Sequence, residues 1–340
     1  PSASSQQIPW LLALLGVSVG LPFFVVSSTA PLLQRWFAQT GHPSADDPYF
    51  LYGSSNLGSL LALLSYPVVI EPMLGLRAQS LWWTAGYAGL ATTIVVCAAA
   101  LRWHSGHFKR TALVVGERGL IQDITWALRA RWLLLSFAPS ALLLGVTLHI
   151  STDVAAVPLI WVAPLSLYLL TFVLVFARRP PIPHNWMIVA QTVVVASVVV
   201  FFQAVSLFAL FFLHLAGLFL TAMVCHGEMA RLRPVAPRLT EFYLFMSLGG
   251  VLGGLFAGVL APVLFDAVYE YPAALILALL LRPMPKTTAR FWIWIGRLSG
   301  LIAVGRRLVA GAPQAAAVLT RFQLLPWILD VTLPLLLWWA

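Results

Sequence analysis

The sequence predicts an all-α integral membrane protein, a polytopic helix bundle of about 9–10 transmembrane helices. Three observations carry that prediction. Hydrophobic residues make up 61% of the chain and charged residues 9%, with a mean hydropathy of +0.92, whereas soluble domains carry roughly 25% charged residues. Apolar runs long enough to cross about 30 Å of hydrocarbon recur along the chain. The basic residues, which outnumber the acidic ones 20 to 11, lie between those runs rather than in one patch. That arrangement argues against a nucleic-acid surface and makes the lipid bilayer the expected partner.

Taken in order, residues 8–30, 49–70, 80–101, 132–151, 155–177, 185–204, 206–226 and 241–263 read as spans, and 268–282 as a shorter one. The string "RFWIWIGRLSGLIAVGRRL" then sets Arg290, Arg297, Arg306 and Arg307 among aromatic and aliphatic residues, the pattern of a helix lying in the membrane interface. The expected organisation is a polytopic transmembrane domain over 1–282, a basic interfacial segment over 283–323 and the start of a further transmembrane helix at 324–340. The first residue is Pro1 and the last lie inside an apolar run, so the sequence reads as a piece of a longer chain. Cys97 and Cys225 both fall at apolar runs, which speaks against a disulfide framework.

Orientation follows from where Lys and Arg collect. The stretch 102–131 holds Arg102, Lys109, Arg110, Arg118, Arg129 and Arg131. Later connections alternate: none around Asp153, Arg178 and Arg179 next, none near Gln203, then Arg231, Arg233 and Arg238, and none across 264–272. The basic connections are expected in the cytoplasm, with Pro1 outside and a multi-pass protein of a bacterial inner membrane as the localisation.

An internal repeat is the next signal. Residues 50–67, "FLYGSSNLGSLLALLSYP", align with 245–262, "FMSLGGVLGGLFAGVLAP", with identities at Phe50/Phe245, Leu57/Leu252, Gly58/Gly253, Leu60/Leu255, Ala62/Ala257 and Pro67/Pro262. Both segments are expected to run from cytoplasm to exterior, about six helices apart, which is the parallel six-plus-six relation of major-facilitator-like transporters. Their small residues, including Gly53, Gly58, Gly249, Gly250 and Gly253, favour close helix packing over a phosphate-binding loop, which needs a strand before it. Asn56, an amide within such a helix, is read either as an interhelical hydrogen-bond partner or as a substrate contact.

His149 and Asp153, in "TLHISTD", would share one face of a helix continued to its outer end, ahead of the breaks at Pro158 and Pro164. Two readings are open. Asp153 binds a cation, with His149, Asn56, Trp161 and Tyr168 as further substrate contacts, or Asp153 caps the next helix while His149 bonds at the interface. On the cytoplasmic side His226, Glu228, Glu241 and Arg231 form a polar cluster, read as an ion-pair network. Cys225 beside His226 lacks the spaced ligand pattern of a zinc site, so no metal is expected. No serine or cysteine comes with a recognisable base, so no catalytic residue is named, and no cofactor is implied.

The strings "VGLPFFVVSSTAPLLQRWF", "YFLYGSSNLGSLLALLSYPVVIEPMLGLRAQSLWWTAGY", "HISTDVAAVPLIWVAPLSLYLLTFVLVF" and "EFYLFMSLGGVLGGLFAGVLAPVLFDAVYEYPAAL" resemble the membrane region of bacterial proteins that fuse a major-facilitator-like module to a spermidine-synthase-like domain. The resemblance covers about residues 8–282. It implies a transporter-like module for polyamines or related cations. It also implies a soluble aminopropyltransferase- or methyltransferase-like domain as partner, and this sequence holds no glycine-rich loop after a strand to supply that chemistry. The alternative is a non-transporting scaffold that anchors a soluble enzyme or the subunits of a larger membrane complex.

Overall fold

The computed structural model describes residues 4–40, 42–120, 123–154, 159–201, 207–265 and 268–283. The expected interfacial segment beyond Pro283, the expected helix start at 324–340, and Pro158 lie outside the described residues. Within them every regular element is helical: α1 (Ser4–Leu15), α2 (Leu21–Phe37), α3 (Phe50–Ser65), α4 (Glu71–Met73), α5 (Leu76–Leu120), α6 (Trp126–His149), α7 (Val162–Val175), α8 (His184–Phe201), α9 (Leu207–Arg231), α10 (Leu239–Leu255), α11 (Ala261–Leu264) and α12 (Glu270–Leu281).

This is a helical protein whose described helices provide 5 candidate membrane spans by length and composition, Phe50–Met73, Leu76–Trp103, Trp126–Thr152, Ala209–Arg231 and Ala236–Leu264, or 6 if the pair Pro9–Gly20 and Phe23–Phe37, bent by 53°, is one span. That is fewer than the nine or ten expected. Among the shortfall are α7 with 14 residues and α12 with 12, which are apolar but too short alone to cross about 30 Å. Residues 102–120, expected as a connection, are instead the continuation of α5, a helix of 45 residues and about 68 Å. Basic residues mark where a span leaves hydrocarbon. They do not end a hydrogen-bond ladder, and no proline interrupts this one.

Four π-helical turns occur among the described residues, at Gly16–Gly20, Tyr66–Ile70, Ile150–Val154 and Phe256–Leu260. Three of them are followed two residues later by a proline: Pro22, Pro72 and Pro262. A proline ring collides with the carbonyl four residues before it and offers it no N–H, and here those carbonyls belong to Ser18, Val68 and Gly258, each the middle residue of its π turn. Widening the turn relieves the collision while keeping the helix continuous. In the two helices of the suspected repeat these turns are offset by 190 residues rather than 195, so the helix breaks and the sequence identities differ in register.

Hydroxyl side chains on these helices are mostly satisfied locally. Ser28, Ser54, Thr84, Thr92, Thr93, Thr147 and Thr192 each donate to the carbonyl four residues earlier. Back-bonding of this kind lets a polar residue sit on a lipid-facing helix with no donor left unpaired.

Two compact units make up the chain. The first combines the residues up to Leu133 with Leu169–Pro181 and Met229–Gly249. Its core is aromatic: Trp132, Phe242 and Leu239 are fully buried, Phe242 meets Tyr49 edge-on at 5.6 Å and Trp132 at 5.3 Å, and Tyr52 meets Phe172 and Phe176 at 5.3 Å. Three polar tips in this core find an oxygen. Trp132 Nε1 donates to Leu232 O and the Tyr49 hydroxyl to Pro234 O, carbonyls of the segment that follows α9. Tyr243 donates to Gln34 Oε1 at 2.7 Å. Gly249 lies against the Leu133 carbonyl so closely that no Cβ would fit.

The second unit combines Leu134–Tyr168, Ile182–Glu228 and the described residues from Gly250 onward. Its core is aliphatic, built on Ala141, Leu142, Val146, Ile150, Val195, Leu215, Leu218, Ala257, Ala274 and Leu275. Gly253 packs against the Phe137 carbonyl, and Ser140 Oγ donates to Gly250 O at 2.8 Å. The expected small-residue packing is therefore real at Gly249, Gly250 and Gly253, and at Gly53 against the Phe176 backbone, but nothing lies within 4 Å of a Cβ placed on Gly58.

Candidate functional site

Inside the aliphatic core of the second unit sit two imidazoles and a phenol. His149, the last residue of α6, and His214 on α9 bring their Nε2 atoms to 3.3 Å, and His214 Nδ1 lies 2.7 Å from the Tyr271 hydroxyl on α12. His149 also stacks on Tyr271 with ring centroids 5.9 Å apart. All three are buried. Gly145, one turn before His149, allows the approach, since a Cβ there would lie 3.2 Å from Tyr271 Cα.

Two proton arrangements satisfy this chain. In one, Tyr271 O–H donates to His214 Nδ1 and His214 Nε2–H donates to His149 Nε2. In the other, His149 Nε2–H donates to His214 Nε2, and His214 Nδ1–H donates to the tyrosine oxygen. Neutral imidazole carries one N–H, so converting one arrangement into the other swaps both histidine tautomers.

A second polar group occupies the other end of α9 in the same unit. His226 meets the Tyr168 ring edge-on at 5.1 Å. Glu228 Oε2 lies 3.7 Å from His184 Nε2 at the start of α8, and Gly227 leaves the space that the His184 ring fills.

The first unit holds its own charged groups. Arg129 and Arg238 both pair with Glu241, at 2.6 Å and 3.3 Å. Arg233 pairs with Asp47 at 2.6 Å and lies over the Tyr49 ring at 5.5 Å. Burial pushes the Tyr49 phenol above its ordinary pKa, and Arg233 partly opposes the shift. Arg178 covers Phe50 at 4.0 Å and, with Ser44, Asp47 and Arg233, lines a shallow pocket.

The sequence-derived site residues are thus redistributed. His149 is in a buried cluster. Asp153 follows it in the π turn by its backbone, and its side chain lies outside the described residues. Asn56 makes no bond to another helix; its Nδ2 donates to Tyr52 O in its own helix at 2.8 Å, as the hydroxyls do. Trp161 is 45% exposed in the turn before α7, while Tyr168 joins His226. Of the expected cytoplasmic cluster, His226 and Glu228 belong to the second unit and Arg231 and Glu241 to the first, and none of the described ion pairs includes exposed Arg231. Glu241 is drawn to Arg129, a residue 112 positions earlier that spacing alone could not assign.

His214, His184, Tyr271, Gln191 and Thr221 were not anticipated. A signal for three polar positions existed: His214, Thr221 and Glu228 recur every seven residues along α9 and hence on one face of it. Cys97 and Cys225 are free thiols, and among the described residues no three His, Cys, Asp or Glu side chains gather as metal ligands. Comparison of the chain with protein-family models, with curated proteins and with solved structures finds no match.

Proposed function

We propose that the chain is a transporter-like membrane module that moves a small cationic solute, with polyamines as the class implied by its resemblance to the spermidine-synthase-like fusion proteins. The observation that supports this reading is the His149–His214–Tyr271 cluster. Polar groups withdrawn into an apolar helical core carry a desolvation cost and in membrane proteins mark solute and ion pathways. Asp153, one turn beyond His149, supplies the carboxylate for an ammonium group, and Trp161 an aromatic face for it. On this reading the basic ends of the first unit, with Arg35, Arg129, Arg178, Arg233 and Arg238, face the cytoplasm. Asp153→Asn tests the reading, because it keeps the size, removes the charge and caps a helix almost as well. Labelled spermidine uptake into proteoliposomes should be lost in this variant at matched incorporation.

A second reading, a non-transporting scaffold, draws on α5. None of the apolar window within Leu76–Trp103 is buried, and Trp82, Trp83 and Trp103 are 69%, 75% and 89% exposed. A helix with one half-buried stripe and its other faces exposed has area for another membrane subunit as well as for lipid. Spermidine uptake equal in wild type and Asp153→Asn would shift preference to this scaffold.

A further inference from the structure

We infer that the apposed faces of α8 and α9 in the second unit carry a hydrated proton path joining the His184–Glu228 end to the His149–His214–Tyr271 end. The inference deepens the transport reading and rests on it.

The register of the two helices sets the path. His184, the first residue of α8, meets Gly227 and Glu228 near the end of α9, while Val195 shares a buried core with Leu215 and Leu218. The helices are therefore antiparallel, and each step up α8 matches a step back along α9. Seven residues from His184 is Gln191, and seven back from Glu228 is Thr221. Both lie about 10 Å from the lower pair, on the same helix faces. A further seven residues back along α9 is His214. The polar positions form three levels over about 21 Å, against roughly 30 Å of hydrocarbon.

The middle level is what separates a path from two isolated clusters. Gln191 and Thr221 are both 0% exposed. Among the described residues, neither end of the Gln191 amide nor the Thr221 hydroxyl has a hydrogen-bond partner. Thr192, the other threonine of these two helices, donates to Ile188 O of its own helix; Thr221 makes no such bond. An amide and a hydroxyl held at one depth in an apolar core are costly to leave dry, and water that bonds to both satisfies them. Extended as a file of several molecules over the roughly 10 Å on either side, such water links the titratable groups at the two ends: His184, Glu228, His226 and Tyr168 below, His214, His149 and Tyr271 above.

At the upper end the tautomer exchange of His214 and His149 passes a proton on: one ring nitrogen gains a proton while the other releases one. Arg282 donates to Thr192 Oγ1 at 2.9 Å on the neighbouring face of α8.

The test uses the full chain in liposomes that enclose a pH-reporting dye, with potassium and valinomycin setting an inside-negative potential and spermidine either present or absent outside. Wild type is compared with the double variant Thr221→Val, Gln191→Leu. Proton entry through the wild type in at least one condition, slowed about tenfold or more in the double variant, is expected. Its melting temperature should be equal or higher, because two unpaired polar groups are gone. Equal proton entry in both proteins, no entry through the wild type in either condition, or a double variant that melts well below wild type each overturns the path. Labelled spermidine uptake in the same liposomes judges the transport reading separately. Uptake without proton entry removes the path alone, and proton entry without uptake removes spermidine transport alone.

Discussion

His149 Nε2 lies 3.3 Å from His214 Nε2 across 65 residues of chain, and a tyrosine hydroxyl holds the far side of the second ring at 2.7 Å. Two neutral imidazoles in contact must divide their protons so that one donates and the other accepts. Tyr271, by donating to His214 Nδ1 or accepting from it, completes either arrangement.

Tyr271→Phe keeps the ring and removes that hydroxyl. A buried imidazole nitrogen then loses its partner, and the expected cost is about 1–3 kcal/mol. Thermal unfolding in detergent measures it. In a double-mutant cycle with His214→Leu the effects should be non-additive by about 0.5–3 kcal/mol; additive effects would mean the contact contributes nothing.

The glycines of α3 and α10 should separate by position. Alanine at Gly249 or Gly253 drives a methyl group into the Leu133 or Phe137 carbonyl, with an expected loss of about 1–3 kcal/mol from overpacking. Alanine at Gly58 meets nothing within 4 Å and should be neutral or gain up to about 1 kcal/mol from helix propensity. Equal melting temperatures for all three variants would contradict the packing described.

Glu241 and Asp47 offer a contrast in ion-pair burial. The Glu241 side chain is 22% exposed and pairs with two arginines, whereas the Asp47 side chain is 57% exposed and pairs with one. Asp47→Asn should change stability by only about 0–1 kcal/mol and lose even that in high salt. Glu241→Gln should cost more and depend less on salt, because Arg129 is left partly buried without its carboxylate. Unfolding at low and high ionic strength decides the order.

Topology is open to labelling. In a cysteine-free background, Arg178→Cys should react with an impermeant reagent only after the membrane is opened, and Tyr269→Cys should react in intact cells. The reverse pattern would invert the orientation inferred from the arginines.

The sequence by itself determined the class: an all-helical membrane protein, most of its helix cores, and the small-residue positions at which backbones come together. Those features depend on local composition and on periodicity, which a linear reading captures. Only tertiary structure decided the site. His149 was visible as a polar residue in an apolar run, but its partners His214 and Tyr271 come from helices far along the chain. Asn56, equally visible, turned inward to its own backbone. Gln191 and Thr221 gain meaning solely from the antiparallel register of α8 and α9, which places one beside the other's level. The length of α5 escaped for the opposite reason: charge distribution tells where a helix meets water, and a hydrogen-bond ladder continues through that boundary until the backbone itself is interrupted.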